Sequence, residues 1–157
     1  MASVWLDDDQ QRVWRNYLVM GTRLQAAMNR QLQRDCGLSL ADYDVLVALS
    51  ERGALRIFEL AELLGWEQSR LSHQLRRMRD RALVDRSGSA QDRRGATVDI
   101  TGAGRAALAA AAPGRLGPAV AIMVRSVPFD AITPGQLRAL DRLTATVLSR
   151  LDDDARA

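Results

Sequence analysis

Apolar residues recur along this chain at intervals of three and four, and glycines mark where one run gives way to the next. In the first run, residues 7–35, Trp14, Tyr17, Leu18, Gly21, Leu24, Met28 and Leu32 keep to one stripe of a helix. Asp7, Asp8 and Asp9 suit the positive end of its dipole. The stripe outlasts what a small domain needs from one helix, so part of it is expected to face a second subunit. Gly37 ends the run, and Ser39 with Asp42 has the form of a capping box for the next helix, residues 40–52. That helix turns Tyr43, Leu46, Val47 and Leu49 inward before Gly53, and a short one over 56–64 buries Ile57, Leu60, Ala61 and Leu64 before Gly65.

A second short helix follows within a few residues. Leu71, Leu75 and Met78 fall at i, i+4 and i+7 and form its buried stripe, while Ser69, His73, Arg76 and Arg77 point the other way, with Arg70 and Ser72 on the flanks. Two short helices joined by a tight glycine turn make a helix-turn-helix whose second member is the recognition helix. The period then drops to two. Val84, Asp85 and Arg86 lead into the exposed turn SGSAQDRRG, and Thr97, Val98, Asp99 and Ile100 return as a strand. A helix followed by a two-stranded ribbon with a basic tip is the outline of a winged helix.

Beyond the ribbon, Thr101 caps a helix that breaks at Pro113 and Gly114 and resumes across Val120, Met123 and Val124 before Pro128. Thr133 and Pro134 start a last helix, with Leu137, Leu140, Leu143, Val147, Leu148 and Leu151 on one stripe. The predicted fold is therefore mostly α with a small β wing. A winged helix-turn-helix lobe over 38–101 is flanked by dimerisation helices over 7–35 and 102–151, in a single chain of 157 residues without linker or long repeat. Apolar faces at both ends, outside the lobe, point to a homodimer.

Charge adds a partner. The net charge is only +3, yet residues 70–94 hold eight Arg against three Asp, a local excess of +5 that leaves the remainder slightly acidic. A confined basic patch suits a polyanion: regularly spaced phosphates each exchange a counterion for a guanidinium, and a helix in the major groove presents side chains to base edges. Ser69, Arg70, Ser72, His73, Arg76 and Arg77 are the candidate contacts to double-stranded DNA. At the wing, Arg93 and Arg94 are candidates for a narrow minor groove with Asp92 orienting them; the plainer reading of this trio is a surface ion pair.

Other chemistry finds little support. There is no phosphate-binding glycine loop, no nucleophile motif and no Cys/His pair at useful spacing, so neither an enzyme nor a cofactor is expected. One histidine and one cysteine do not furnish a metal site, and Cys36 has no partner for an internal disulfide. Cys36 is either a small hydrophobe or a redox switch, the latter giving an alternative regulator. Trp14, Tyr17 and Tyr43 either line a cavity for a small aromatic ligand or belong to the core. No apolar run is long enough to span a membrane and the acidic start is unlike a signal peptide, so the expected location is cytoplasmic, associated with the nucleoid. A second class of function is a winged-helix module whose Arg face docks an acidic protein.

The stretch from Leu38 to Arg86 and the wing sequence DRRGATVDIT, Asp92 to Thr101, resemble the MarR-type winged-helix regulators, whose wing carries a D-x-R signature. The resemblance implies recognition contacts at Ser69, Arg70, Ser72, His73 and Arg77 and a wing contact at Arg93 or Arg94. It further implies a homodimeric repressor on a pseudo-palindromic operator, released by a small, often aromatic, effector. Two positions depart from the family pattern: Ala82 stands where glycine is common, which argues against a left-handed backbone there, and Ile100 replaces a frequent Leu.

Overall fold

The computed structural model describes residues 6–87, 96–111 and 132–154. Helix α1 (Asp8–Cys36) starts at Asp7, whose carboxylate accepts from Gln10 N–H at 2.8 Å while Gln10 returns a bond to Asp7 N–H, and it ends at Gly37 in the left-handed conformation. Ser39 and Asp42 form the expected capping box at the head of α2 (Leu40–Arg52). The strand β1 (Leu55–Arg56) leads directly into α3 (Ile57–Leu64). Gly65, at φ 64°, then turns the chain into α4 (Gln68–Asp80), a turn that only a residue without a β-carbon takes at no cost. Strands β2 (Val84–Ser87) and β3 (Thr97–Ile100) and helix α5 (Gly102–Ala111) follow. The chain divides into two compact units, Met1–Ser126 and Val127–Ala157, and the described part of the second consists of residues 132–133 and the helix α6 (Pro134–Asp154).

The wing is more than the expected two-stranded ribbon. β3 lies between β1 and β2 in an antiparallel sheet of order β1-β3-β2, with Leu55 opposite Val98 and Val84 opposite Ile100. Two residues of β1 carry too little pattern to announce a strand, and they pair because the chain entering α3 passes the free edge of β3. Along β3 the period of two holds: Val98 and Ile100 are buried, Thr97 and Asp99 half-buried.

The core of the first unit gathers Leu38, Val45, Leu46, Leu49, Leu60, Leu71, Met78 and Val98, and it extends past the lobe to Leu32 of α1 and Leu108 of α5. The N-terminal half of α1 behaves differently. Val13, Trp14, Tyr17, Leu18 and Met20 are all exposed, as are Leu137, Leu140, Leu143, Val147, Leu148 and Leu151 of α6.

The inference from Ala82 is overturned: its φ is 55°, left-handed despite the β-carbon. Ala82 N–H donates to Arg79 O at 2.8 Å and Leu83 N–H to Met78 O at 2.9 Å, the paired bonds that close a helix through a left-handed residue. Thr101 Oγ1 then donates to Ala82 O at 2.6 Å. These bonds hold a conformation that alanine's own preference opposes.

Candidate nucleic-acid interface

The candidate surface begins with how α4 is held. Leu71, Leu75 and Met78 are buried, each contributing about 1.5–3 kcal/mol of apolar burial. Their spacing obliges the opposite face to point outward, and Ser69, Arg70, Ser72, His73, Arg76 and Arg77 are all exposed there. The six candidates predicted on this helix thus share one surface. Asp92, Arg93 and Arg94 lie outside the described residues, as do Pro113, Gly114 and the segment with Val120, Met123 and Val124.

Part of the surface is cationic because, among the described residues, three of its arginines form no ion pair. Arg76 and Arg79, one turn apart, and Arg86 of β2 surround a notch of about 150 Å³ together with Ser72, over an apolar floor that includes Leu75 and Val98. Among the described residues, ion pairs join Arg12 to Asp9, Arg81 to Asp42 and Arg105 to Asp99, and none engages these three. The pattern of the sequence did not single out Arg79 and Arg86; folding β2 against α4 is what brings them to Arg76. Arg81, by contrast, is withdrawn from the basic face. It donates to Asp42 Oδ2 at 2.8 Å and to Gly37 O at 2.6 Å.

Asp42 therefore does more than cap α2. It is buried, and besides Ser39 N–H and Arg81 it accepts from Gln74 Nε2 at 2.6 Å, while Gln74 Oε1 accepts from the Arg77 guanidinium. Gln74 was legible only as an anomaly, a polar residue on the same stripe as Leu71, Leu75 and Met78, which signals a buried partner without naming it.

Beside this network, a groove of about 640 Å³ runs between α1, the start of α2 and the length of α4; Asn29, Asp44, Trp66, Arg70 and Arg77 are among its lining residues. The Arg70 guanidinium lies 4.3 Å from the Trp66 ring centroid, within range of a cation–π contact. Burial raises the Asp44 carboxyl above its ordinary range, and Arg70 partly opposes the rise. The groove's aromatic is Trp66, not one of the three predicted. Trp14 and Tyr17 stack on each other on exposed α1, centroids 5.4 Å apart, and Tyr43 is buried in the core, its hydroxyl without a partner among the described residues. Burial also raises the Cys36 thiol, which donates to Leu32 O at 3.2 Å; both features keep it protonated.

Comparison with known proteins decides the family. The MarR family model matches residues 37–95, from the glycine that ends α1 to just before β3. Sco3205 of Streptomyces coelicolor, a MarR family transcriptional regulator solved in complex with DNA, is 36% identical over 94% of this chain and 90% of its own, with a TM-score of 0.80. The chain belongs to the MarR family. AbsC, another MarR family transcriptional regulator of Streptomyces coelicolor, is 33% identical to this family member over 96% of the chain and 99% of its own, with a TM-score of 0.81. No curated protein matches the sequence. The family is one of transcriptional regulators, and the winged-helix architecture of this member is the one its sequence predicts. No described helix is long and apolar enough to cross a membrane.

Proposed function

We propose that this MarR-family regulator binds double-stranded DNA sequence-specifically, as a homodimeric repressor on a pseudo-palindromic operator. The observation that carries the reading is the exposed face of α4, where Arg and hydroxyl side chains that form no ion pair among the described residues project from a helix pinned by three buried apolar residues. Arg70, Arg76 and Arg77 supply charge-assisted donors for phosphate or guanine, and Ser69, Ser72 and His73 supply shorter contacts. Arg93 or Arg94 reaches the minor groove with Asp92 as its orienting partner. Sco3205 bound to DNA supports the same use of the fold here. Two copies, joined through the exposed apolar faces of α1 and α6, place their recognition helices in successive major grooves about 34 Å apart.

The groove suits an effector. An aromatic ring with an acidic group finds Trp66 for stacking and Arg70 and Arg77 for its charge. The same two guanidinium groups belong to the DNA-reading face, so a ligand that engages them competes for charge the operator needs. A titration of the chain's own promoter fragment at two salt concentrations, with and without an aromatic carboxylate, tests this. We expect specific binding that weakens steeply with salt, by about 0.9 in log–log slope per phosphate contact, and weakens again with ligand. Arg94→Ala should lower the affinity. Absence of specific, salt-dependent binding refutes the DNA reading, and ligand-independent binding refutes the effector alone.

A further inference from the structure

Gln74 is a polar residue in a place the helical repeat reserves for the core, and it is only 3% exposed. Its amino end donates to Asp42 Oδ1 at 2.6 Å, and Asp42 is equally buried. The other carboxylate oxygen of Asp42 is occupied by Arg81 and by Ser39 N–H, each at 2.8 Å. An ionised carboxylate only accepts, so the Gln74 amide presents Nε2 to it; reversed, the amide would set oxygen against oxygen. Oε1 is thereby turned the other way, toward Arg77, whose guanidinium only donates. Both neighbours demand the same orientation, and burial denies the amide a competing water.

We infer that Gln74 is a positioning residue for DNA reading, an Asp42–Gln74 relay that fixes the Arg77 guanidinium on the exposed face of α4 before DNA arrives. The inference rests on the DNA-reading role proposed for α4. An unrestrained arginine loses rotamer freedom when it docks, and fixing it beforehand removes part of that loss. One guanidinium N–H is committed to Gln74 and the remaining donors stay available to a phosphate or a guanine edge. Arg81 extends the relay on the far side of Asp42, tying it to Gly37 O at the end of α1, so that the reader is referenced to the helix that precedes its lobe.

A double-mutant cycle tests the relay in the full chain. Gln74→Met keeps the length of the side chain, suits the apolar stripe and removes both polar ends. It should weaken operator binding about tenfold, the loss of one hydrogen bond to a charged group. In the Arg77→Ala background the same change should cost nothing more, because a residue that acts through Arg77 has nothing left to position. Equal losses in the two backgrounds, or no loss in either, overturn the relay while leaving DNA binding by α4 intact. A wild-type chain without operator binding instead refutes the DNA reading. The free protein gives a readout without DNA: ¹⁵N guanidinium NMR should find rotation about the Arg77 Cζ–Nη bonds hindered in wild type and released by Gln74→Met. A freely rotating wild-type Arg77 overturns the relay even if the variant fails to fold.

Discussion

Ala82 holds a conformation its side chain resists. A β-carbon at φ 55° costs about 1 kcal/mol relative to an ordinary backbone, and the cost is met by the two bonds that close α4 and by Thr101 Oγ1 on Ala82 O. Ala82→Gly should therefore stabilise the fold, by up to about 1 kcal/mol, with the greater freedom of glycine in the unfolded chain offsetting part of the gain. A thermal melt should show Tm higher by a few degrees; an unchanged or lower Tm would mean that the strain at Ala82 does not exceed the unfolded-state freedom that glycine adds. Cys36 illustrates the reverse case, a residue whose surroundings favour its inert form. Its thiol is half-buried, bonded to Leu32 O and raised by desolvation, all of which disfavour the thiolate that redox chemistry uses.

Among the elements, α5 is fitted to the wing more tightly than its alanine-rich sequence suggests. A β-carbon on Gly104 would stand 2.1 Å from Leu83 O and 2.9 Å from Ile100 Cγ1, so backbone in the first turn of α5 presses on the chain entering β2. Thr101, whose hydroxyl oxygen accepts from Gly104 N–H to cap α5, also donates its backbone N–H to Leu83 O. Gly104→Ala should force the helix and strand apart at a cost of about 1–3 kcal/mol, read as a lower urea midpoint with the slope unchanged. A midpoint equal to wild type would show that the contact gives way freely. Such a fit matters to α4, because Leu83 both closes that helix and leads into β2, so the two elements share one clamped junction.

For the molecule as a whole, the large unanswered surfaces are the apolar faces of α1 and α6. Exposed side chains such as Trp14, Leu18, Leu143 and Leu151 leave water only if a partner covers them. Under the proposed dimer, Leu143→Glu with Leu151→Glu should yield monomers in sedimentation while helicity persists, since neither side chain is part of the described core. Operator affinity should fall by about 10²-fold or more as two linked half-site contacts become one. A dimer that survives the paired substitution places the interface elsewhere.

Much of this architecture was decided locally. The three-and-four spacing, the glycines at 37, 53 and 65 and the capping pair Ser39 and Asp42 specify helices and their ends through contacts within a few residues, and each is legible without the rest of the chain. The outward face of α4 follows from its buried stripe by the same geometry, which is why six candidate contacts could be placed on one surface. What the tertiary structure alone decided joins residues far apart along the chain. β1 becomes a strand only beside β3, Ala82 turns left-handed only under Thr101, and Arg79 meets Arg86 only once β2 packs against α4. Above all, Gln74 and Asp42 are 32 residues apart, and no local rule pairs them. A buried polar group must find a partner, but which partner it finds depends on how the helices pack, and here that packing sets Gln74 between Asp42 and an arginine of α4.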